Sequence, residues 1–204
     1  MSDKVKIGII GVGTIGTVHA NNYAKVANAE IVALCDILPD RLAEKAKTFN
    51  IAKTYADYNA LLADPEIDAV SVCVPNDMHA PIAIAALNAG KHVMLEKPMT
   101  LSAELGKQIL AAMSPRAYKI ALCVEGKQLS SEQLAKRIEE IGQTHGEVCR
   151  VIGSSFGLSP AVKSACDLRL SVSALTFPHQ LMRVILLEAT YRAFTIIKGT
   201  PYHK

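Results

Sequence analysis

Gly11-Val-Gly13-Thr-Ile-Gly16 decides how this chain reads. It follows an apolar run, residues 6–11, and opens a segment, 15–27, with small and apolar residues at helical spacing. A strand that ends in glycines and turns at once into a helix is the opening of a βαβ unit. Gly11 permits a tight turn, Gly13 lets backbone approach a pyrophosphate, and Gly16 lets the helix lie close to the sheet. The helix N-terminus then faces the phosphates. Asp36 stands twenty residues after Gly16, at the end of a second strand over 30–35. A carboxylate there accepts hydrogen bonds from an adenosine ribose and repels a 2′-phosphate, which favours NAD over NADP. Arg41 is near enough in sequence to blur that preference. The blander alternative is a glycine turn beside a surface aspartate; the strand–turn–helix context weighs against it.

The alternation continues outward from this motif. Residues 39–49 read as a helix, 59–63 as a short helix, 69–74 as a buried strand, and 81–88 as a helix. A strand over 92–95 and a helix over 101–113 follow, with Thr100 or Ser102 near the N-cap. Such alternation predicts a parallel sheet covered on both faces. Ser114-Pro115 then breaks the helix. Beyond this seam the rhythm restarts, with strands over 118–124, 147–152 and 168–172 and a charged amphipathic helix over 131–141. A long helix spans 178–198, with Pro178 suited to its first turn and Gly199 to its C-terminal cap. Two domains are expected, 1–113 and 114–204.

The 204 residues are 50% hydrophobic and 20% charged, which predicts a globular and not a disordered chain. No apolar run approaches the ~20 residues that span a bilayer. The first residues lack the apolar core of a signal peptide, so a cytoplasmic protein with no membrane partner is expected. Cys35, Cys73, Cys123, Cys149 and Cys166 form no Cys-x-x-Cys pair, which predicts thiols in a reducing compartment and no metal site. Charge is uneven. Residues 1–112 carry 10 Lys+Arg against 12 Asp+Glu, and residues 113–204 carry 12 against 7. The basic second half points to an anionic partner, with an ordinary solvated surface as the bland alternative.

Two later strings sharpen the first half: Val74-Pro75-Asn76-Asp-Met-His79 and Gly90-Lys-His-Val-Met-Leu-Glu96-Lys97-Pro98. With the glycine motif, residues 4–112 resemble the N-terminal domain of the glucose–fructose oxidoreductase/inositol dehydrogenase family (Gfo/Idh/MocA). The resemblance implies a Rossmann-type sheet that binds NAD(P). It places Pro75 and Asn76 along the cofactor and Lys97 beside nicotinamide and substrate, and it makes the bond before Pro98 commonly cis. Spacing alone leaves Lys97 the alternative of a solvated strand-end lysine. The family's large substrate domain is absent, and no Asp–His pair at helical spacing follows Lys97.

The second half carries different strings. They are Ile120-Ala-Leu122-Cys-Val-Glu125-Gly126-Lys127, Val151-Ile-Gly153-Ser-Ser-Phe-Gly157-Leu158, and Leu170-Ser-Val172-Ser173-Ala174-Leu175-Thr176-Phe177-Pro178-His179-Gln-Leu-Met-Arg183. The chain closes on Glu188-Ala-Thr-Tyr191-Arg192-Ala-Phe194 and Gly199-Thr-Pro-Tyr202-His203-Lys204. Residues 118–204 resemble the C-terminal part of the ribosomal RNA large subunit methyltransferase H family, of the knotted SPOUT class. The family's N-terminal part is absent, Ser154 stands where a second glycine is usual, and Ala189 where a glutamine is usual. The expected fold class is therefore α/β: a Rossmann-type parallel sheet followed by a partial knotted SPOUT domain.

This second resemblance implies methylation of a pseudouridine at N3 in large-subunit ribosomal RNA, with S-adenosyl-L-methionine as donor. It implies that Leu122, Gly153, Val172, Ser173, Ala174, Leu175, Thr176 and Phe177 wrap the donor. Tyr202, His203 and Lys204 form an active-site tail, Arg183 and Arg192 contact RNA or support structure, and two subunits build the site as a homodimer. The partner is ribosomal RNA or the ribosome, not DNA. The chemistry agrees: glycines admit close backbone approach, and methyl transfer depends on holding nucleophile and donor in line. His203 can accept the departing N3 proton and Lys204 can stabilise the developing anion. Taken alone, a terminal His-Lys is a solvated tail, His179 reads as structural more than catalytic, and the apolar stripe of the last helix reads as core. Three functions are expected in descending order: a methyltransferase fused to an NAD(P)-binding domain, an NAD(P)-dependent oxidoreductase fragment lacking its substrate domain, and a non-enzymatic nucleotide-binding protein.

Overall fold

The structure is a computed structural model that describes residues 4–153 and 157–203; Ser154 and Lys204 lie outside the described residues. It divides into two compact units, Met1–Met113 and Ser114–Lys204.

The first unit runs β1 (Val5–Ile10), α1 (Thr14–Tyr23), β2 (Ala29–Cys35), α2 (Pro39–Phe49), β3 (Lys53–Tyr55), α3 (Tyr58–Leu62) and β4 (Ala69–Val72). A 3-10 turn (Asn76–Met78), α4 (His79–Asn88), β5 (His92–Leu95) and α5 (Ala103–Ala112) complete it. The five strands are parallel in the order β3-β2-β1-β4-β5. This is the Rossmann-type order, with its switch point between β1 and β4. Successive residues of the central strands serve opposite faces. Ile9 and Leu34 pack with Ile7, Val12, Ala20 and Leu42 on one side. Ile10 and Cys35 pack with Leu61, Ile67, Val70, Val72 and Ile82 on the other. Fully burying a side chain such as Ile9 or Leu61 contributes about 1.5–3 kcal/mol.

Several elements differ from the sequence reading, among them α4, which starts two residues early at His79, and α5, which starts two late at Ala103. Helix α1 stops at Tyr23 instead of continuing to 27, because residues 24–28 must turn the chain so that Ala29 pairs with Val5. Hydrogen bonds from Lys25 N to Asn22 O and from Val26 N to Tyr23 O make that turn. The three-residue strand β3 is too short to show a period, and β4 ends two residues early, at Val72.

The second unit comprises β6 (Ala117–Gln128), α6 (Ser131–Thr144), β7 (Glu147–Ile152), α7 (Pro160–Ser164), β8 (Leu168–Ser171) and α8 (His179–Ile197). Its three strands are parallel in the order β7-β6-β8. Strand β6 continues past the expected end at 124. It pairs Leu122 with Leu170, bulges over residues 123–126, and pairs Lys127 with Leu170 again. Gly126 makes the bulge fit: a Cβ there would meet the Leu170 carbonyl carbon at 2.6 Å. Helix α7 was not expected, although Ser159 caps it by accepting from Val162 N at 3.3 Å and Pro160 fills its first position. A capping box between Ser130 and Gln133 starts α6. Ile120, Leu122, Ile141, Leu170 and Leu186 form the core. The apolar stripe of α8 is not core throughout: Leu181, Val184, Leu187, Tyr191 and Phe194 are 46–69% exposed. Among the described residues, no helix is long and apolar enough to cross a membrane.

Candidate functional site

Apart from Gly16 in α1 and Arg41 in α2, the residues singled out in the first unit stand at the C-terminal ends of strands of one parallel sheet, the edge where open α/β sheets bind ligands. Gly11 and Gly13 follow β1, Asp36 follows β2, Pro75 and Asn76 follow β4, and Lys97 follows β5. The glycines differ in what they permit. Gly11 has φ +85°, and a Cβ there would sit 2.5 Å from the Cys73 carbonyl oxygen. A Cβ on Gly16 would lie 1.9 Å from the Gly11 carbonyl oxygen, so α1 can approach β1 only without one. At Gly13, the N-cap of α1, an added Cβ meets nothing within 4 Å. That open cradle in front of the helix N-terminus fits a pyrophosphate.

Asp36 is buried and fully engaged. Its carboxylate accepts from Val12 N and Leu38 N, each at 2.9 Å, and from Arg41 Nε at 2.9 Å and Nη2 at 2.7 Å. Burial pushes this acid up, but Arg41 and the two amides outweigh it and hold the carboxyl below its ordinary value.

Two histidines that the sequence reading left without a role organise the same edge. His79, 1% exposed, places Nδ1 2.6 Å from the Pro98 carbonyl oxygen and Nε2 3.0 Å from that of Val74. It ties the segment bearing Pro75 and Asn76 to the one bearing Lys97, whose bond to Pro98 is cis. His19 on α1 lies 2.7 Å from Ser71 Oγ through Nδ1 and 3.1 Å from Glu96 Oε1 through Nε2. Lys97 itself is exposed, and its backbone N–H donates to Glu96 Oε2 at 3.1 Å.

In the second unit the strand ends enclose a cavity of about 720 Å³. Leu122, Gly153, Val172, Ser173, Leu175, Thr176 and Phe177 all line it; Ala174 does not. Its wall also includes Glu125 on the β6 bulge, Lys163 on α7, and His179 and Met182 at the start of α8. Gly153 is required where it stands, since a Cβ would meet the Gly157 carbonyl carbon at 2.6 Å. Ser171 Oγ donates to Ser173 O and Ser173 Oγ accepts from Leu175 N, each at 3.0 Å, which shapes the loop along one wall.

The C-terminal tail is elsewhere in the unit. Tyr202 and His203 do not line the cavity. Tyr202 donates to Glu188 Oε1 at 3.2 Å and meets Tyr191 edge-on at 4.9 Å, and Arg192 lies 5.0 Å above its ring. Arg192 also donates to Glu188 through Nε at 3.0 Å, so its visible role is to hold the tail. His203 Nε2 sits 2.7 Å from Glu132 Oε1. Glu132 is pulled down to about 2, first by the Ser130 hydroxyl, then by backbone and by His203.

Fold and site together define a chain of two parallel α/β units, each with a candidate binding site at the C-terminal ends of its strands. The family model "Predicted SPOUT methyltransferase" matches residues 41–203, and the chain belongs to that family. Ribosomal RNA large subunit methyltransferase H of Bacillus pumilus is 45% identical over 125 residues, 60% of this chain and 78% of the relative. Its counterpart in Streptococcus thermophilus is 51% identical over 100 residues, 48% of this chain and 63% of the relative. Among solved structures, scyllo-inositol dehydrogenase from Lactobacillus casei with bound NAD(H) and scyllo-inositol matches with TM-score 0.52 and 33% identity. That likeness covers 54% of this chain and 33% of the dehydrogenase, so the chain spans a third of that enzyme's length. The chain thus joins membership of the SPOUT methyltransferase family to a likeness, over about half its length, with a third of a dehydrogenase.

Proposed function

We propose that the second unit transfers a methyl group from S-adenosyl-L-methionine to N3 of a pseudouridine in large-subunit ribosomal RNA, and that the first unit holds NAD(P). One observation carries the reading. Seven of the eight residues implied as donor contacts line a single cavity of about 720 Å³. That volume suits a small cofactor. Beside it Gly153 packs directly on the Gly157 backbone, a contact that only glycine permits.

S-adenosylmethionine supplies an electrophilic methyl group on a sulfonium. The chain's own residues do the rest. The loop 172–177 and Gly153 hold the donor and exclude water, and the basic surface of the unit holds RNA phosphates. His203 accepts the N3 proton, with Lys204 stabilising the anion and Tyr202 positioning the base. In a homodimer this tail comes from the partner copy, whose docking buries the exposed stripe of α8. The ribosome as partner puts the protein in the cytoplasm.

The test is to incubate the protein with ribosomes from cells lacking the modification and a labelled methyl donor. Mass spectrometry should show one methyl group on N3 of a large-subunit pseudouridine. Replacement of Gly153 by Trp should abolish it while NAD binding persists. Transfer to no ribosomal nucleotide would overturn the reading.

A second reading, an oxidoreductase fragment, is favoured by the Gly11, Gly13, Gly16, Asp36 and Lys97 arrangement at one sheet edge. It predicts NAD-linked turnover of a polyol or sugar that Lys97→Ala abolishes. Absence of turnover across a broad panel would overturn it.

A further inference from the structure

We propose that Glu125 and Lys163 form a subsite for the amino-acid end of the methyl donor, Glu125 taking the ammonium and Lys163 the carboxylate. The proposal rests on the cavity being the donor pocket. Its wall is otherwise small, apolar or neutral: Leu122, Ile152, Leu170, Val172 and Phe177 alternate with glycines and hydroxyls. Among the described residues, Glu125 and Lys163 are the two lining residues of acidic or basic type other than His179. They carry opposite signs, and they form an ion pair with each other. A ligand with an uncharged nucleoside along most of its length and its charged groups gathered at one end fits this distribution of charge.

The local structure supports an exchange of partners. Glu125 rides on the β6 bulge, which carries it off the strand ladder, and its side chain is 54% exposed. Lys163, in α7, is 21% exposed. Hydrogen bonding to Lys163, then to backbone, holds the Glu125 carboxyl below its ordinary value, so it is ionised at neutral pH. Opening the pair for the donor's zwitterion replaces one ion pair by two. The competing role is a structural clip that holds α7 against the bulge.

The experiment titrates the full chain with S-adenosylmethionine and with 5′-deoxy-5′-(dimethylsulfonio)adenosine, which keeps the sulfonium charge and lacks the amino-acid end. Lys163→Met and Glu125→Gln should each weaken S-adenosylmethionine about ten- to hundred-fold, the worth of a charge-assisted hydrogen bond, and leave the dimethylsulfonio analogue unchanged. The doubly swapped variant, Glu125→Lys with Lys163→Glu, restores the clip but reverses the charges. It should recover thermal stability and still bind S-adenosylmethionine weakly. Equal losses for both ligands, or full donor binding by the swapped variant, would overturn the subsite while leaving the donor pocket standing. Binding of neither ligand by the unmodified protein would overturn the pocket itself and the subsite with it.

Discussion

Arg41 grips Asp36 through both ends of its guanidinium, Nε to Oδ2 at 2.9 Å and Nη2 to Oδ1 at 2.7 Å. With the Val12 and Leu38 amides, this fills the roughly four acceptor positions of a carboxylate. A ribose diol can reach Asp36 only if Arg41 leaves. Arg41→Ala is therefore expected to tighten NAD about tenfold, near the worth of one net hydrogen bond. The same change should weaken NADP, whose 2′-phosphate needs the cation. Paired titrations check this; a parallel loss for both cofactors would show that Arg41 holds the adenosine instead.

Gly13 and Gly16 separate binding from folding. At Gly13, φ is −69° and space is open, so Gly13→Ala should leave the melting temperature unchanged and still weaken NAD. Gly16→Ala forces a Cβ to 1.9 Å from the Gly11 carbonyl oxygen. It should destabilise the first unit by about 1–3 kcal/mol or more, as overpacking does. Thermal melts and NAD titrations on both variants decide it.

His79 is expected to be a positioning residue for the cofactor edge. His79→Leu leaves the Val74 and Pro98 carbonyl oxygens without their ring partner. A stability loss of about 1–3 kcal/mol is expected for such buried acceptors. His79→Gln, which keeps a donor, should recover part of it in denaturant unfolding.

Acid stability of the first unit should depend on Asp64. Its carboxylate accepts from Lys53 Nζ at 2.8 Å, Glu66 N at 2.9 Å and Tyr55 Oη at 2.9 Å. Lys53 first, then these neighbours, draw it from 3.8 down to about 2. The folded state thus binds this proton less readily than the unfolded chain does. The contribution is complete above pH 3.8 and is lost as pH falls toward 2. Melting temperatures across that window should fall for the natural chain and fall less steeply for Asp64→Asn.

The β1–α1–β2 opening was legible because periodicity and glycine chemistry are local. Leu122, Gly153 and residues 172–177 came instead from the resemblance; all but Ala174 line one cavity. What escaped was non-local. His19 meets Ser71 and Glu96 across 52 and 77 residues, separations that no local pattern encodes. The β6 bulge that puts Glu125 on the cavity wall depends on where β8 pairs, which the strand's own sequence does not state. Helix α7 was different: Ser159-Pro160 signalled it, but five residues are too few to show a period. The resemblance puts Tyr202 and His203 at a site built by two subunits; within one chain they bind α8 and α6.

The most direct measurement is a calorimetric titration of the purified chain with S-adenosylmethionine, with NAD as the control ligand. The account predicts saturable binding of the donor at one per chain or one per dimer, and its loss in Gly153→Trp with NAD binding intact. Binding of NAD with no binding of the donor would contradict it and leave the first unit as the sole ligand-binding part of the molecule.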